Sequence, residues 1–205
     1  MSKSSETAEF IAGVPSFELL IEMREKARLE KWPVIAVAGK SNVGKSSLLN
    51  ALTGTKVARV SQEPGKTREM NVFRWQKHLL VDLPGYGFAK VSKEMRSMWG
   101  VEITKFLQKD PMLKHVVTLV DGRHGFSEDD LNLQDMLRAA AIEPIVCFTK
   151  MDKHKSSNQM AMAQKQLRDI CKKIGITNYI FTSVEKKMGI SELKIFLLKN
   201  LEIKS

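Results

Sequence analysis

The sequence predicts an α/β domain of three layers, with a mostly parallel sheet, one antiparallel strand and helices on both faces. Short apolar runs rich in β-branched residues alternate with longer segments in which apolar residues recur every three or four positions. This alternation is typical of parallel strands joined by crossover helices. The connection between residues 70–75 and 78–82 is too short for a helix, so these two strands are expected to form an antiparallel hairpin.

The predicted elements follow one another closely along the chain. Ser-rich residues 1–16 are expected to form a flexible N-terminal segment, and residues 17–205 a single domain. Ser127 is the expected N-cap of one helix, with Asp130 completing a capping box. The predicted helices cover residues 17–31, 47–52, 93–108, 127–141, 158–174 and 191–201. The predicted strands cover residues 34–38, 70–75, 78–82, 115–121, 144–149 and 179–181.

Composition narrows the class of protein. The chain has 205 residues, of which 43% are hydrophobic, so it can bury an ordinary core. Lys and Arg number 33 against 23 Asp and Glu, and a net charge of +10 favours a polyanionic partner over a purely solubilising role. Two isolated cysteines without metal-ligand spacing predict buried thiols in a cytoplasmic protein. No apolar run is long enough to span a bilayer, so no membrane association is expected.

One stretch fits the phosphate-binding pattern G-x-x-x-x-G-K-[S/T] at every fixed position. Glycines allow the loop to aim backbone N–H groups at phosphate oxygens, the lysine reaches the β- and γ-phosphates, and the last hydroxyl binds Mg²⁺. An apolar strand before the loop and a helix after it make a chance glycine-rich loop the weaker interpretation. The residues of this phosphate loop are Gly39, Lys40, Ser41, Asn42, Val43, Gly44, Lys45 and Ser46.

Two further segments are predicted to face the phosphates. The pattern D-x-x-G follows a buried strand at Asp82, Leu83, Pro84 and Gly85. Its carboxylate can hold a Mg²⁺ water, and its glycine leaves the next N–H free for the γ-phosphate. The polar segment Gly65, Lys66, Thr67, Arg68 and Glu69 offers a threonine that can engage Mg²⁺ and the γ-phosphate only when the triphosphate is bound, which would make this loop a switch.

A pair of later segments predicts a guanine site. Thr149, Lys150, Met151 and Asp152 end one strand, and the Asp152 carboxylate can accept hydrogen bonds from N1 and the 2-amino group of guanine, a donor pair that adenine lacks. A threonine stands at 149 where asparagine is commoner, and a hydroxyl makes fewer hydrogen bonds than an amide. Phe181, Thr182 and Ser183, with Val184 after them, are expected to bring backbone N–H groups to the guanine O6.

With these motifs in this order, the chain resembles the EngB (YihA/YsxC) family of small bacterial P-loop GTPases. The residues that carry the resemblance lie in segments 41–50, 64–67, 82–89, 121–125 and 149–153. The Asp-Leu-Pro-Gly-Tyr-Gly run beginning at Asp82 and the Arg-His-Gly loop beginning at Arg123 are specific to that family. Lys40 stands where the family usually has arginine.

The resemblance implies a function as well as a fold. It implies that the protein binds GTP or GDP with Mg²⁺ and hydrolyses GTP, with Lys45, Thr67 and Gly85 as catalytic residues and Ser46 and Thr67 as metal ligands. It further implies a role in assembly of the large ribosomal subunit, with rRNA and ribosomal proteins as partners, and in normal cell division and septation. A monomer is expected.

Several alternatives stay open. Tyr86 follows Gly85 where many GTPases place a water-orienting glutamine, so slow intrinsic hydrolysis is expected. Asn42 can hold a monovalent cation, K⁺, near the β–γ bridge, or it can merely brace its own loop. A docking module that binds GTP without turnover is the main competing function. An ATP-using kinase or ATPase is a third, which the Asp152 carboxylate disfavours.

Overall fold

A single seven-stranded sheet organises the protein. The computed structural model describes residues 7–58, 69–86 and 93–199, and for residues 93–99 the backbone alone. The strands are β1 Ala8–Val14, β2 Val34–Gly39, β3 Met70–Trp75, β4 His78–Asp82, β5 Leu113–Asp121, β6 Ile145–Thr149 and β7 Tyr179–Phe181. The helices are α1 Phe17–Lys26, α2 Lys45–Thr53, α3 Lys93–Lys109, α4 Glu128–Ala139, α5 Ser157–Lys173 and α6 Ile190–Lys199.

The strand order is β1-β3-β4-β2-β5-β6-β7. Strand β4 pairs in parallel with β2, and β2, β5, β6 and β7 continue as parallel neighbours. Strand β3 is antiparallel to both β1 and β4, so within the described chain it is the one strand that runs against the others. The predicted mostly parallel sheet and the hairpin of β3 and β4 are therefore confirmed.

Strand β1 corrects the prediction for the N-terminus. Residues 8–14 were expected to belong to a flexible segment, but they pair with β3 from Ala8↔Trp75 to Val14↔Met70, with an irregularity between Phe10 and Ala12. An edge strand is held by backbone hydrogen bonds to one neighbour, so its sequence needs little of the apolar patterning that marks a buried strand. Residues 1–6 lie outside the described part of the chain.

Helix α1 ends earlier than its apolar spacing predicts. The prediction extended the helix to Lys31, but the last helical residue is Lys26 and Ala27 is the C-cap. Arg28 then takes a left-handed conformation, with φ of 56°. The Leu29 N–H donates to the Arg24 carbonyl at 2.8 Å, which closes the helix in the manner of a C-terminal capping turn and turns the buried Leu29 side chain into the core.

Successive side chains of each strand point to opposite faces of the sheet, and helices pack on both faces, which gives the three layers. On one face, β2 residues Ile35 and Val37 belong to a cluster with residues of α2 and α6. On the other face, Val34 and Ala36 pack in a cluster with residues of α1, α3 and α4. Helix α5 covers β6 and part of β5, where its residues Leu167 and Cys171 belong to a third cluster with Phe148 of β6. In the part of the chain that the structure describes, no helix combines the length and apolar character needed to cross a membrane.

Serine caps fix the starts of three helices. Ser16, Ser127 and Ser156 each accept a hydrogen bond from a backbone N–H in the first turn of α1, α4 and α5. At Ser127 the capping box is complete, because the Asp130 carboxylate also accepts from the Ser127 N–H at 2.8 Å. The predicted capping box is therefore confirmed, and a cap of this kind contributes about 1 kcal/mol to helix stability.

A buried ion pair joins α1 to the connection between α3 and β5. The Arg24 guanidinium donates to both carboxylate oxygens of Asp110, at 3.0 and 2.8 Å, and to the Glu30 carbonyl at 2.7 Å. Asp110 also accepts from the Met112 N–H at 2.9 Å. The side chains of Arg24 and Asp110 are 3% and 0% exposed, so neither charge can be satisfied by water if its partner is removed.

The substitution Asp110→Ala should therefore destabilise the protein strongly. Loss of the carboxylate leaves the buried Arg24 charge unpaired, which costs about 3–5 kcal/mol in unfolding free energy. Urea denaturation at neutral pH measures this difference. As a control, Asp135→Ala removes the exposed pair of Asp135 with Arg138 and should cost less than about 1 kcal/mol. Equal losses in the two variants would show that the buried pair contributes no more than a surface one.

Candidate nucleotide-binding site

The predicted site residues meet at one edge of the sheet. Strands β2, β4, β5 and β6 run parallel and end at Gly39, Asp82, Asp121 and Thr149. Ligands of open α/β sheets bind outside the carboxyl ends of the strands, because the loops that follow these strands converge there. The four strand ends bring together motifs that are up to 110 residues apart in the sequence.

The phosphate loop turns sharply from β2 into α2. Asn42 and Gly44 both have positive φ, 61° and 111°, and α2 begins at Lys45. A side chain at Gly39 would bring its Cβ within 2.8 Å of Val43 Cγ1 and 3.0 Å of Leu119 Cβ, so only glycine fits there. The loop thus ends at the N-terminus of a helix, where free N–H groups and the helix dipole favour a bound anion.

The segment that follows β4 packs directly on this loop. The Ser41 N–H and hydroxyl both donate to the Tyr86 carbonyl, at 3.1 and 3.3 Å. A Cβ at Gly85 would lie 3.1 Å from Ser41 Oγ and 3.3 Å from Lys45 Nζ. The backbone of Gly85 therefore lies beside the ammonium group that is expected to hold the β- and γ-phosphates.

Asp82 is a buried carboxylate with an incomplete set of partners. Lys45 Nζ lies 3.8 Å from Asp82 Oδ1, which is too long for a hydrogen bond, and this oxygen is buried with no hydrogen-bond partner among the described residues. Burial raises the pKa of Asp82 to about 6, although the nearby Lys45 acts in the opposite direction. Such an oxygen would gain from a cation or a metal-bound water.

Two side-chain oxygen donors at this edge of the sheet, those of Ser46 and Asp82, suit Mg²⁺. Ser46, in the first turn of α2, is half-buried next to Lys45. Among the described residues no group of three or more His, Cys, Asp or Glu side chains could hold a metal ion. Mg²⁺ in nucleotide sites is commonly held by one or two protein oxygens together with phosphate oxygens and water. Ser46 and Asp82 therefore fit a metal that arrives with the nucleotide, whereas Thr67 lies outside the described residues.

A hydroxyl at the end of β6 braces the phosphate loop. Thr149 Oγ1 donates to the Val43 carbonyl at 2.7 Å, and Thr149 is buried. Asparagine is commoner at this position, and the shorter threonine still reaches the loop. This hydrogen bond joins the end of β6, which leads to the base site, directly to the phosphate loop. Because it is buried in a low-dielectric environment, it is stronger than a hydrogen bond exposed to water.

Lys150 makes a second connection between the same two segments. Its ammonium donates to the Asn42 carbonyl at 2.6 Å and to Asp121 Oδ2 at 3.0 Å, and its backbone is left-handed, with φ of 59°. Arg123 also donates to both Asp121 oxygens, at 2.9 and 2.7 Å. Burial acts to raise the pKa of Asp121, but the hydrogen bonds from Arg123 and Lys150 hold it well below its usual range.

Asp121 is a residue of the candidate site whose contacts sequence reasoning missed. The sequence marks segment 121–125 only by its resemblance to the family, whereas the structure shows the Asp121 carboxylate accepting from Lys150 and so positioning that side chain. The adjacent Gly122 allows the close approach, because a Cβ there would lie 2.8 Å from the Thr149 carbonyl. The Gly122 N–H donates to the same carbonyl at 2.9 Å. The signal in the sequence was a carboxylate at the end of a buried strand, at the edge where the other motifs were expected.

Asp152 is held ready to accept hydrogen bonds. The Ser183 hydroxyl donates to Oδ1 at 2.6 Å, and the buried Oδ2 has no hydrogen-bond partner, although Lys153 Nζ lies 3.4 Å away. Burial acts to raise the pKa of Asp152, but the hydrogen bond from Ser183 and the nearby Lys153 outweigh it and lower the pKa. An ionised carboxylate with an oxygen that still accepts no hydrogen bond is the acceptor that a guanine N–H pair requires.

The expected backbone donors to the guanine O6 need a correction. The Thr182 N–H donates to the Phe148 carbonyl at 2.7 Å, and the Ser183 N–H donates to the Met188 carbonyl at 3.0 Å. Both groups are used in extending the sheet and closing the following turn. This leaves the N–H of the exposed Val184 as the candidate donor. The Phe181 ring stacks on Phe148 at 5.3 Å between centroids, so its role is packing.

Other predicted site residues contribute backbone atoms or remain untested. The side chains of Val43, Leu83 and Met151 belong to the buried core, and Pro84 is buried as well. Lys40 and Asn42 are exposed in the phosphate loop, and Glu69, at the end of the expected switch segment, is also exposed. The role of Asn42 toward K⁺ stays a prediction. Four residues of the expected switch lie outside the described residues: Gly65, Lys66, Thr67 and Arg68.

Tyr86 does not take the place of a water-orienting glutamine. Its phenol donates to Asp130 Oδ1 at 2.7 Å, at the start of α4. Burial raises the pKa of Tyr86, and the Asp130 carboxylate raises it further. The phenol is therefore a neutral donor committed to the protein interior, and the Tyr86 carbonyl is committed to Ser41.

Comparison with known proteins agrees with this geometry. Residues 34–150 match the family model described as a 50S ribosome-binding GTPase. A probable GTP-binding protein EngB of Clostridium perfringens (strain SM101) is 40% identical over 196 residues, which cover 92% of this chain and 97% of the relative. A crystal structure of a probable GTP-binding protein engB superposes with a TM-score of 0.66 at 29% identity, covering 82% of this chain and 98% of that one.

A second solved structure is similar at a lower identity. Era in complex with MgGDPNP and nucleotides 1506–1542 of 16S ribosomal RNA has a TM-score of 0.67 and 26% identity, covering 85% of this chain and 58% of the Era chain. The fold and the site together define a GTP-binding protein of the P-loop GTPase class. Within that class, the chain belongs to the EngB family of GTP-binding proteins.

The raised pKa of Asp82 predicts a pH dependence of stability in the nucleotide-free protein. Between pH 4 and about 6 the folded protein retains a proton on Asp82 that the unfolded chain has lost, so the unfolding free energy falls as pH rises through this window. A shift from 3.8 to about 6 corresponds to a loss of about 3 kcal/mol.

Denaturation of wild type and Asp82→Asn at several pH values without Mg²⁺ measures this contribution. The stability of the variant relative to wild type should rise between pH 4 and 6 and then level off. The exposed Asp135→Asn serves as the control and should keep the wild-type pH profile. A difference between wild type and Asp82→Asn that is constant across this range would show that Asp82 is ionised with an ordinary pKa.

Proposed function

We propose that this protein is a Mg²⁺-dependent GTP hydrolase that acts as a switch in assembly of the large ribosomal subunit. The observation that carries the proposal is the continuous contact between two subsites. Thr149 and Lys150 tie the phosphate loop to the segment that presents Asp152, so one rigid edge of the sheet presents donors for phosphates and an acceptor for guanine. Ribosome assembly and the link to normal cell division and septation come from family membership.

Each residue of the site has a distinct task in this proposal. The N–H groups of the phosphate loop and the Lys45 ammonium hold the β- and γ-phosphates, and Asp152 selects guanine. Bound Mg²⁺, held through Ser46 and Asp82, supplies charge neutralisation at the phosphates. The Gly85 backbone, beside Lys45, presents an N–H toward the terminal phosphate, and Thr67 is proposed to add a ligand only in the triphosphate state.

The contacts of Tyr86 support slow intrinsic hydrolysis. The residue after the D-x-x-G motif would have to orient the attacking water, but its phenol is held by Asp130 and its carbonyl by Ser41. The chain must therefore gain a water-orienting or charge-stabilising group from elsewhere. We propose that a ribosomal particle supplies or organises this group, so that turnover is coupled to arrival on the large subunit.

The cellular setting of the proposal rests on charge and family. The net charge of +10 suits a partner rich in phosphate. The matching family model is described as ribosome-binding, and the similar Era structure contains a segment of ribosomal RNA. These observations support action on the large subunit or its precursor, and we propose that the protein acts there as a cytoplasmic monomer.

A GTP-dependent docking module with negligible turnover is the second candidate, and the commitment of Tyr86 favours it. Phosphate release under multiple-turnover conditions, with and without purified large ribosomal subunits, separates the two functions. The switch requires phosphate release that rises with added subunits. Binding to the subunits in the presence of a non-hydrolysable GTP analogue, with no phosphate release from GTP, would establish the docking module instead.

Base choice is the sharpest test of the assigned nucleotide. Asp152→Asn should weaken GTP binding by about 100-fold and improve binding of xanthosine triphosphate, because the amide can donate to the oxygen that replaces the 2-amino group. Fluorescence competition against labelled GDP measures both affinities. Asp169→Asn, an exposed change on α5, is the matched control and should leave both affinities unchanged. Wild-type GTP affinity in Asp152→Asn would remove this carboxylate from the base site.

A further inference from the structure

Positive charge is concentrated in the last quarter of the described chain. Residues 150–199 contain 11 Lys and Arg against four Asp and Glu, which accounts for most of the net charge of +10. These residues form β7 at one edge of the sheet, α5 on one face and α6 on the other. By contrast, α4, which lies on the same face as α5, carries Glu128, Asp129, Asp130 and Asp135 against a single arginine.

Helix α5 arranges part of this charge as a stripe. Lys165, Arg168 and Lys172 are spaced by three and four residues, so they lie one above another on the same side of the helix. All three are exposed, whereas Leu167 and Cys171, on the side of the helix that faces the sheet, are buried. Seven residues of helix span about 10 Å, so the stripe can contact successive groups of an extended polyanion.

The cations of the stripe form no ion pair among the described residues, although the exposed Asp169 lies four residues after Lys165 on the same helix. Lys26 pairs with Glu22, and Lys105 pairs with Glu18 and Glu102. Within the described residues, neither Lys165 nor Lys172 forms an ion pair, and the same is true of the neighbouring Lys155 and Lys173. The Arg168 guanidinium lies over the Phe181 ring, 5.5 Å from its centroid, which orients it without neutralising it.

We propose that the stripe of Lys165, Arg168 and Lys172 binds the phosphate backbone of ribosomal RNA. This proposal rests on the proposed action at the large ribosomal subunit and locates the surface involved. Three cations in a row, with Asp169 as the one carboxylate between them on the helix, leave an excess of positive charge. This excess favours a ligand with regularly spaced phosphates, and release of its counterions supplies the binding free energy.

The packing of α5 favours RNA over a membrane. A helix that binds a lipid surface needs an apolar face free to enter the headgroup region. The apolar face of α5 is instead used against the sheet, through Leu167 and Cys171. Met162 and Ile170 are exposed, but they are single side chains eight positions apart and form no continuous face. Membrane binding therefore becomes an outcome that the experiment can detect.

The stripe also lies close to the nucleotide site along the chain. Helix α5 begins at Ser157, five residues after Asp152, and Ser156 caps its first turn. Lys153 pairs with Glu185 of the loop that contains Ser183. Guanine bound at Asp152 would thus contact the segment that leads directly into α5, so occupancy of the base site and RNA contact involve connected elements.

The test compares two triple variants with equal loss of charge. The stripe variant is Lys165→Gln, Arg168→Gln and Lys172→Gln. The control variant is Lys31→Gln, Lys77→Gln and Lys109→Gln. These three exposed lysines precede β2, β4 and β5, so they lie at the amino ends of the parallel strands, away from the nucleotide site. Binding to purified large ribosomal subunits is measured by co-sedimentation with a non-hydrolysable GTP analogue at several salt concentrations. GDP affinity of each variant verifies that the nucleotide site is intact.

The stripe variant should bind the large subunit at least about tenfold more weakly, and the salt slope should fall by about 2, since roughly 0.7–0.9 is lost for each phosphate contact. The control variant should remain within about twofold of wild type. A charge-retaining variant, Lys165→Arg with Lys172→Arg, should bind as wild type does. Phosphatidylglycerol-containing vesicles provide the membrane arm, where no binding by wild type is expected.

Three outcomes would overturn the proposal. If wild type binds large subunits and the stripe variant binds equally well, the surface is wrong while the proposed function stands. If the control variant loses as much affinity as the stripe variant, the effect is one of net charge alone. If wild type binds vesicles and the stripe variant does not, with unchanged subunit binding, the stripe serves a membrane. Failure of wild type to bind large subunits at all would instead overturn the proposed function.

Discussion

The site depends on two hydrogen bonds that join the end of β6 to consecutive carbonyls of the phosphate loop. Thr149 Oγ1 donates to the Val43 carbonyl, and Lys150 Nζ donates to the Asn42 carbonyl. A phosphate loop needs unusual backbone angles at Asn42 and Gly44, and such angles persist only where surrounding contacts fix them. These two bonds supply that constraint, and they also set the distance between the phosphate and base subsites.

The charges of the site fall into a satisfied group and an unsatisfied group. The Asp121 carboxylate accepts hydrogen bonds from both Arg123 and Lys150, so these three side chains form a scaffold that needs no ligand. Asp82 and Asp152 each keep a buried oxygen without a hydrogen-bond partner among the described residues. Unsatisfied buried oxygens cost free energy in the nucleotide-free protein. A metal-bound water at Asp82 and a guanine N–H at Asp152 would remove that cost, which links ligand binding to stability.

Much of this arrangement could be predicted from the sequence, because motif residues must stand at fixed spacings at the ends of strands. The hairpin of β3 and β4 followed from a connection too short for a helical crossover. Strand β1 escaped prediction because an edge strand is specified by its partner, and Ala8–Val14 alternates poorly. The early end of α1 depends on the left-handed backbone conformation of Arg28, which could not be predicted from an arginine in the sequence. The use of the Thr182 and Ser183 N–H groups by Phe148 and Met188 depends on three-dimensional pairing.

The hydrogen bond from Thr149 to the Val43 carbonyl is central to the nucleotide site, and the affinity for GDP tests its contribution most directly. Titration of Thr149→Val and Thr149→Ser with labelled GDP in Mg²⁺ compares loss of the hydroxyl with its retention. The valine variant should bind GDP about tenfold or more weakly, because a buried carbonyl of the phosphate loop loses its donor, at about 1–3 kcal/mol. The serine variant should stay near wild type, and the preference of both for guanine over xanthine should be unchanged. Wild-type GDP affinity in Thr149→Val, or equal losses in the two variants, would contradict the account.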